Sequence, residues 1–266
     1  MGGARGELLR RFHGHLHDVW ARLARSVPGG WVEEASGLTC IATGSDSPSF
    51  NLALSADGLT DPQVALDAAH DRFGAAGLRW LLKLQPELDR EVVVHARRRG
   101  IDLDEEPVYA LPIRPWAATA ALASASPLSI VVASTATIDD AVHCFAEAFD
   151  ADADAVSREL GPNLLTIPTF TVFVGYRSGE PVASSMLATT RSVGLAGVYS
   201  VATRPAHRGR GFGTALTGAA LVAAGEQRYD TAVLEPSPSG AAMYRRMGFE
   251  PFTAYLEAVI SPRDGA

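Results

Sequence analysis

The chain has 266 residues, enough for one large domain or two small ones. Hydrophobic residues make up 47% and charged residues 20%, which supplies buried cores and excludes wholesale disorder. A net charge of -7 excludes a general nucleic-acid binder, which needs a basic face, and mildly favours a neutral or cationic substrate.

Cys40 and Cys144 lie far apart, with no Cys or His at metal-ligand spacing. Neither a disulfide framework nor a metal site is expected, and a reducing, cytoplasmic setting is. The stretch from Met1 to Arg11 holds no apolar run of leader length, and no segment approaches the ~20 apolar residues that span a bilayer. No membrane partner is expected, and the chain is expected to be a monomer or homodimer.

In chain order, residues 7 to 25 predict an amphipathic helix, with Leu8, Phe12, Leu16, Val19 and Leu23 at spacings of three and four. Pro28, Gly29 and Gly30 stop it. Strand-like runs follow at 38–43 and 50–54. Asp61 and Pro62 form an N-cap and first helical position for a helix reaching Phe73. A strand at 78–84, a helix at 88–99 stopped by Gly100, and a strand at 107–113 complete the first half. Ala, Ser and Pro crowd residues 115 to 127, which places a linker at 116–127 between domains 1–115 and 128–266.

The second half opens with a strand at 128–133. Thr137 and Asp140 predict a capping box for a helix with Ile138, Ala141, Val142, Phe145, Ala148 and Phe149 on one face. A short helix at 152–160 and a hairpin of 170–176 and 181–189 come next. A strand at 195–203, a helix at 211–227, a strand at 231–234, a helix at 239–247 and a strand at 252–260 complete the chain. The fold class is therefore α/β. The end of the helix before Gly100 parallels Tyr244 to Gly248, either as an internal repeat or because αβ units converge on similar patterns.

The informative segment runs from Val201 to Thr214, between a predicted strand and a predicted helix. Gly209, Gly211 and Gly213 stand at alternate positions, so backbone can approach a ligand closely. Their amides and the helix N-terminus make an anion site, and Arg208 and Arg210 add positive charge. This chemistry suits a pyrophosphate. A P-loop would need a Lys that is absent, and Thr214 occupies the third glycine position of a dinucleotide-binding fingerprint.

With Arg208, Gly211 and Gly213 in place, the segment resembles the signature of the GCN5-related N-acetyltransferase (GNAT) family, across residues 128 to 260. The resemblance implies a mixed, mostly antiparallel sheet flanked by helices, with acetyl-CoA as co-substrate and an amine as acceptor. It implies that Val201, Ala202 and Thr203 pair with the pantetheine arm. It also implies that Gly209, Arg210, Gly211, Phe212, Gly213 and Thr214 hold the pyrophosphate. Ser237 stands where the family usually has Asn, which weakens that cofactor contact. Tyr244, seven residues on, is implied to protonate or hydrogen-bond the departing thiolate.

The general base stays open among Glu235, Tyr199 and a water chain. Glu235 is as readily a solvated strand end, and His207 a loop residue or cofactor contact. His13 and His17 share a helix face but make a poor metal site without a third ligand. The first half shows Ala96 where the repeat would want Tyr, and one glycine, Gly58, where a cradle would be. It is expected to be a degenerate copy that binds no cofactor and shapes the acceptor pocket. Two rival readings are a non-catalytic acyl-CoA-binding regulatory module and a structural partner protein.

Overall fold

The computed structural model describes residues 3–56, 59, 61–113 and 128–262. They fall into two compact units, each discontinuous in sequence: Met1–Val19 with Val108–Phe252, and Trp20–Pro107 with Thr253–Ala266. This division differs from the single boundary expected near 115, since it falls at three points of the chain. The expected linker over 116–127 and Gly58 lie outside the described residues.

The smaller unit takes the end of α1 (Ala4–Ser26), then β1 (Trp31–Ala35), β2 (Leu38–Ala42), β3 (Asn51–Ser55), α2 (Pro62–Ala75), β4 (Trp80–Leu84) and α3 (Arg90–Arg98). β1, β2 and β3 pair antiparallel in turn. β3 and β4 run parallel, joined by α2. The final strand, β11 (Glu250–Ile260), adds Leu256 to Ile260 antiparallel to β4. Leu66, Ala69 and Phe73 of α2 pack on Cys40, Ala53 and Leu82, and Phe73 stacks on Trp80 at 4.9 Å. Asp61 caps α2 as expected, accepting from the amides of Gln63 and Val64, and Gly100 ends α3 with φ +76°. β1 carries Glu33 and Glu34 and gives no strand signal in sequence. It is held from outside, with Arg72 lying 3.7 Å over the Trp31 ring and paired with Glu33.

The larger unit begins with the first part of α1 and the end of β5 (Asp104–Pro112). It continues through β6 (Ser129–Val132), α4 (Ile138–Phe149), α5 (Ala153–Leu160), β7 (Phe170–Arg177), β8 (Glu180–Thr190) and β9 (Leu195–Thr203). It ends with α6 (Phe212–Glu226), β10 (Thr231–Leu234) and α7 (Ala241–Arg246). The strand order is β5-β10-β9-β8-β7-β6. Only the β10–β9 pair is parallel. This is the mixed, mostly antiparallel sheet flanked by helices that the sequence predicts. Consecutive β8 residues point to opposite faces: the Ser184 hydroxyl donates to the Ala141 carbonyl of α4, and that of Ser185 to the Leu216 carbonyl of α6. The two helices therefore cover opposite faces. Alanine and leucine fill α6 because it is buried against the sheet along most of its length.

Two local expectations are corrected. Thr137 and Asp140 form no capping box, because each side chain is engaged elsewhere: Thr137 Oγ1 accepts from the Ser134 amide, and Asp140 accepts from the Tyr176 hydroxyl. Phe149 does not join the buried face of α4. It is the helix's last residue and is 53% exposed.

Among the described residues no helix is long and apolar enough to cross a membrane. Nor, among the described residues, could any group of three or more His, Cys, Asp or Glu hold a metal ion. His13 Nε2 and His17 Nε2 lie 3.2 Å apart. Cys40 and Cys144 are buried free thiols, each pushed up to about 12 by burial.

The Asp61 cap gives a direct stability test. Asp61→Ala should cost about 1 kcal/mol, read as a lower denaturant midpoint with unchanged slope.

Candidate functional site

The site begins where β9 loses a neighbour. β9 pairs with β10 at Leu195, Ala196 and Gly197, opposite Thr231, Ala232 and Val233, and no further. Among the described residues, Val198 to Thr203 are therefore without a strand partner on that edge. Their other edge stays paired with β8, but the register shifts: Ala202 faces Ser184 and Tyr199 faces Met186. The extra residue sits in β9, where Ser200 takes the left-handed φ of +51°. This is a β-bulge, which bends a strand and re-aims its groups. A non-glycine residue at such φ is strained, and such strain concentrates at functional sites.

The strand leads through Arg204 and Pro205 into the glycine loop. Gly209 and Gly211 have φ of +73° and +79°, and Gly211 is the residue that opens α6. No side chain caps α6. The first four amides of a helix have no intrahelical carbonyl, so they present positive charge to whatever lies in front. In front lies a cleft of about 570 Å³. Gly209, Gly211, Phe212, Gly213 and Thr214 form one wall, and Val201, Ala202 and Thr203 a second. The α7 region supplies Ser237, Ser239, Gly240, Met243, Tyr244 and Arg246, and α4 supplies Ala148 and Phe149. Arg208 and Arg246 are among the lining residues and no acid is. The donor set fits a polyanion. A Cβ at Gly213 would come within 3.1 Å of Met243 Sδ, so that position keeps the cleft open.

The cofactor-binding residues expected from sequence are gathered here, with one exception. Arg210 does not line the cleft, and its guanidinium lies against the Ala206 carbonyl. Arg208 lines it while donating to the carbonyls of Thr203 and Ala148, so it also ties the strand exit to the end of α4. The Ser237 hydroxyl accepts from the Gly240 amide and helps form the turn into α7. His207 faces Glu180 at 4.0 Å. Phe149 and Met243 were not anticipated as lining residues. Phe149 reads in sequence as a core-facing helix residue, and no signal marks which apolar residues rim a cleft.

Tyr244 packs edge-on against Phe249 and is buried. Burial pushes its phenol up to about 12, with Thr217 partly offsetting the rise. It therefore stays protonated across the neutral range and keeps a proton to donate. Glu235 does not line the cleft. It follows β10 directly, and its charge acts on the Tyr199 hydroxyl. Tyr199 lies far above the ordinary tyrosine range because it is buried, with Glu235 adding to the shift. A phenol so disposed is a poor base at neutral pH.

On the α4 side of the bulge, Ser200 shares with Phe145, Leu164 and Met186 a cavity of about 20 Å³, room for a group the size of one water.

Residues 168–251 match the family model described as acetyltransferase (GNAT) domain. The fold is similar to a GCN5-related N-acetyltransferase from Kribbella flavida, with TM-score 0.71, 21% identity, and coverage of 100% of this chain and 97% of that one. It is also similar to a functionally unknown conserved protein from Staphylococcus epidermidis, with TM-score 0.62, 13% identity and coverage of 88% and 94%. A tandem GNAT protein from the clavulanic acid biosynthesis pathway aligns with TM-score 0.54 and 15% identity over 86% and 79%. No curated protein matches this sequence.

Because Tyr244 ionises only near 12, the tyrosinate absorbance gained between pH 7 and 10.5 should be the same in the unchanged chain and in Tyr244→Phe. A smaller gain in the variant would place its phenol in the ordinary range.

Proposed function

We propose that the chain, whose residues 168–251 match the GNAT domain model, transfers an acetyl group from acetyl-CoA to an amine of a small molecule or peptide, directly and without a covalent enzyme intermediate. One observation carries the reading: the unpaired edge of β9 runs straight into a glycine cradle at a helix N-terminus, in a cleft lined by two arginines and no acid. An open strand edge suits the amides of pantetheine, and the cradle suits pyrophosphate.

The donor supplies an activated acyl thioester; the chain supplies position and polarity. Amides from Gly209 to Thr214 bind the pyrophosphate. The backbone of Val201 and Thr203 aligns the arm along β9, and an amide near Val201, at the bulge, polarises the thioester carbonyl. Tyr244 donates a hydrogen bond to the sulfur as charge develops there. A phenol at about 12 is a weaker acid than a thiol of about 8.5, so stabilising the thiolate by hydrogen bonding is favoured over complete proton transfer.

The test is release of free thiol from acetyl-CoA over a panel of primary amines (polyamines, aromatic amines, aminoglycosides and amino-acid esters) with mass detection of the acetylated product. Binding of acetyl-CoA without thiol release would favour the regulatory-module reading.

Calorimetry should give one acetyl-CoA per chain. Gly213→Glu should abolish binding while leaving circular dichroism unchanged, because it places a carboxylate in the cleft against Met243. Tyr244→Phe should lower turnover by roughly 10²–10³-fold, as loss of one preorganised donor does, with the dissociation constant for acetyl-CoA little changed.

A further inference from the structure

The first helix lies outside the segment matched to the acetyltransferase domain, yet its opening part, Met1–Val19, belongs to the same compact unit. Two interactions fix it beside β9. Arg11 donates through Nε to the Val193 carbonyl at 2.6 Å and through Nη2 to that of Gly194 at 3.0 Å, and faces Asp230 at 3.7 Å. One turn later His15 is fully buried. Thr190 gives its hydroxyl proton to Asp18 at 2.7 Å, so the 2.9 Å bond between Thr190 Oγ1 and His15 is donated by His15 Nδ1–H. The His15 ring stacks on Tyr199, 6.0 Å between centroids and 16° between planes. Gly197 permits the pair: a Cβ there would overlap both the Tyr199 ring and His15 Nε2.

Tyr199 occupies a telling position. It lies two residues past the last β9–β10 pair and one before Ser200 at the bulge. Glu235 lies two residues past the same pair on the other strand. The Tyr199 hydroxyl is buried and bonds to nothing among the described residues. A buried polar atom left without a partner is costly and calls for an explanation.

We propose that α1 is a working part of the transfer site: His15 fixes Tyr199 so that its hydroxyl binds the incoming acceptor amine where β9 parts from β10. Tyr199 is then a substrate-contacting residue, and His15, through Thr190 and Asp18, a positioning residue. Tyr199 stays a neutral phenol throughout, taking up no net proton. Its oxygen accepts from an amine N–H, which leaves the nitrogen lone pair free to meet the thioester carbon; the C–N bond forms as the C–S bond breaks, and the proton shed by the nitrogen passes through water to the departing coenzyme A thiolate. This inference rests on the transferase reading above.

The test uses the full chain and the fastest primary amine of the acetylation panel. Tyr199→Phe removes only the unbonded oxygen, so the melting temperature should hold or rise and acetyl-CoA affinity should be unchanged. The amine's kcat/KM should fall by about tenfold or more, the discrimination a lost polar contact to substrate gives. His15→Asn should lower the same constant, and in the double variant the losses should not multiply, since one acts through the other. Should His15→Asn fail to fold, Thr190→Val replaces it in the cycle. Wild-type kcat/KM in Tyr199→Phe, or fully multiplicative losses, would overturn the inference. If the unchanged chain binds acetyl-CoA but acetylates no amine of the panel, the transferase reading falls and takes this one with it.

Discussion

Backbone amides and carbonyls must be paired or solvated, and a strand interior rarely leaves either open. Among the described residues, β9 leaves six, Val198 to Thr203, without a strand partner on one edge, because the parallel ladder to β10 stops at Gly197 and Val233. Everything chemical is placed relative to that interruption. The bulge at Ser200 lies within it, the glycine cradle follows it, Tyr244 reaches the cleft beside it, and Glu235 and Tyr199 flank its start. The edge is kept open by what packs around it. β8 holds the other edge, and α4 and α6 are tied to opposite faces of β8 through Ser184 and Ser185. A fold that closed the ladder would satisfy its own backbone and have nothing to offer an amide-bearing ligand.

Two tyrosines stand in this region, and burial raises the phenol of each. Tyr244 lines the cleft and keeps its proton. Tyr199 stands at the parting of the strands, held by an imidazole from a helix nearly two hundred residues upstream. Burial keeps each neutral, so what either can offer a ligand is a hydrogen bond and not a charge.

Much of this was legible in sequence, for physical reasons. β9 and β10 were read at their observed bounds because a run of apolar residues between turn residues has few alternatives. The Asp61-Pro62 start of α2 was read because capping is local chemistry. The glycine loop into α6 was read because closely spaced glycines between a strand and a helix mark a tight backbone turn. What escaped was non-local. β1 depends on Arg72, some forty residues away. Thr137 looked like a capping box but found a closer partner in Ser134. Phe149 has the pattern of a core residue and lies at the cleft rim. His15 carried no signal, since nothing local tells a histidine that it will meet Thr190 and Tyr199.

Hydrogen exchange of the full chain, with and without acetyl-CoA, tests the account at its base. Protection should rise together in the amides of 198–203 and 209–214, the unpaired edge and the cradle, and stay unchanged in 80–84 of the smaller unit. Unchanged exchange in both of the first two segments under saturating acetyl-CoA would contradict the claim that this edge is the binding site.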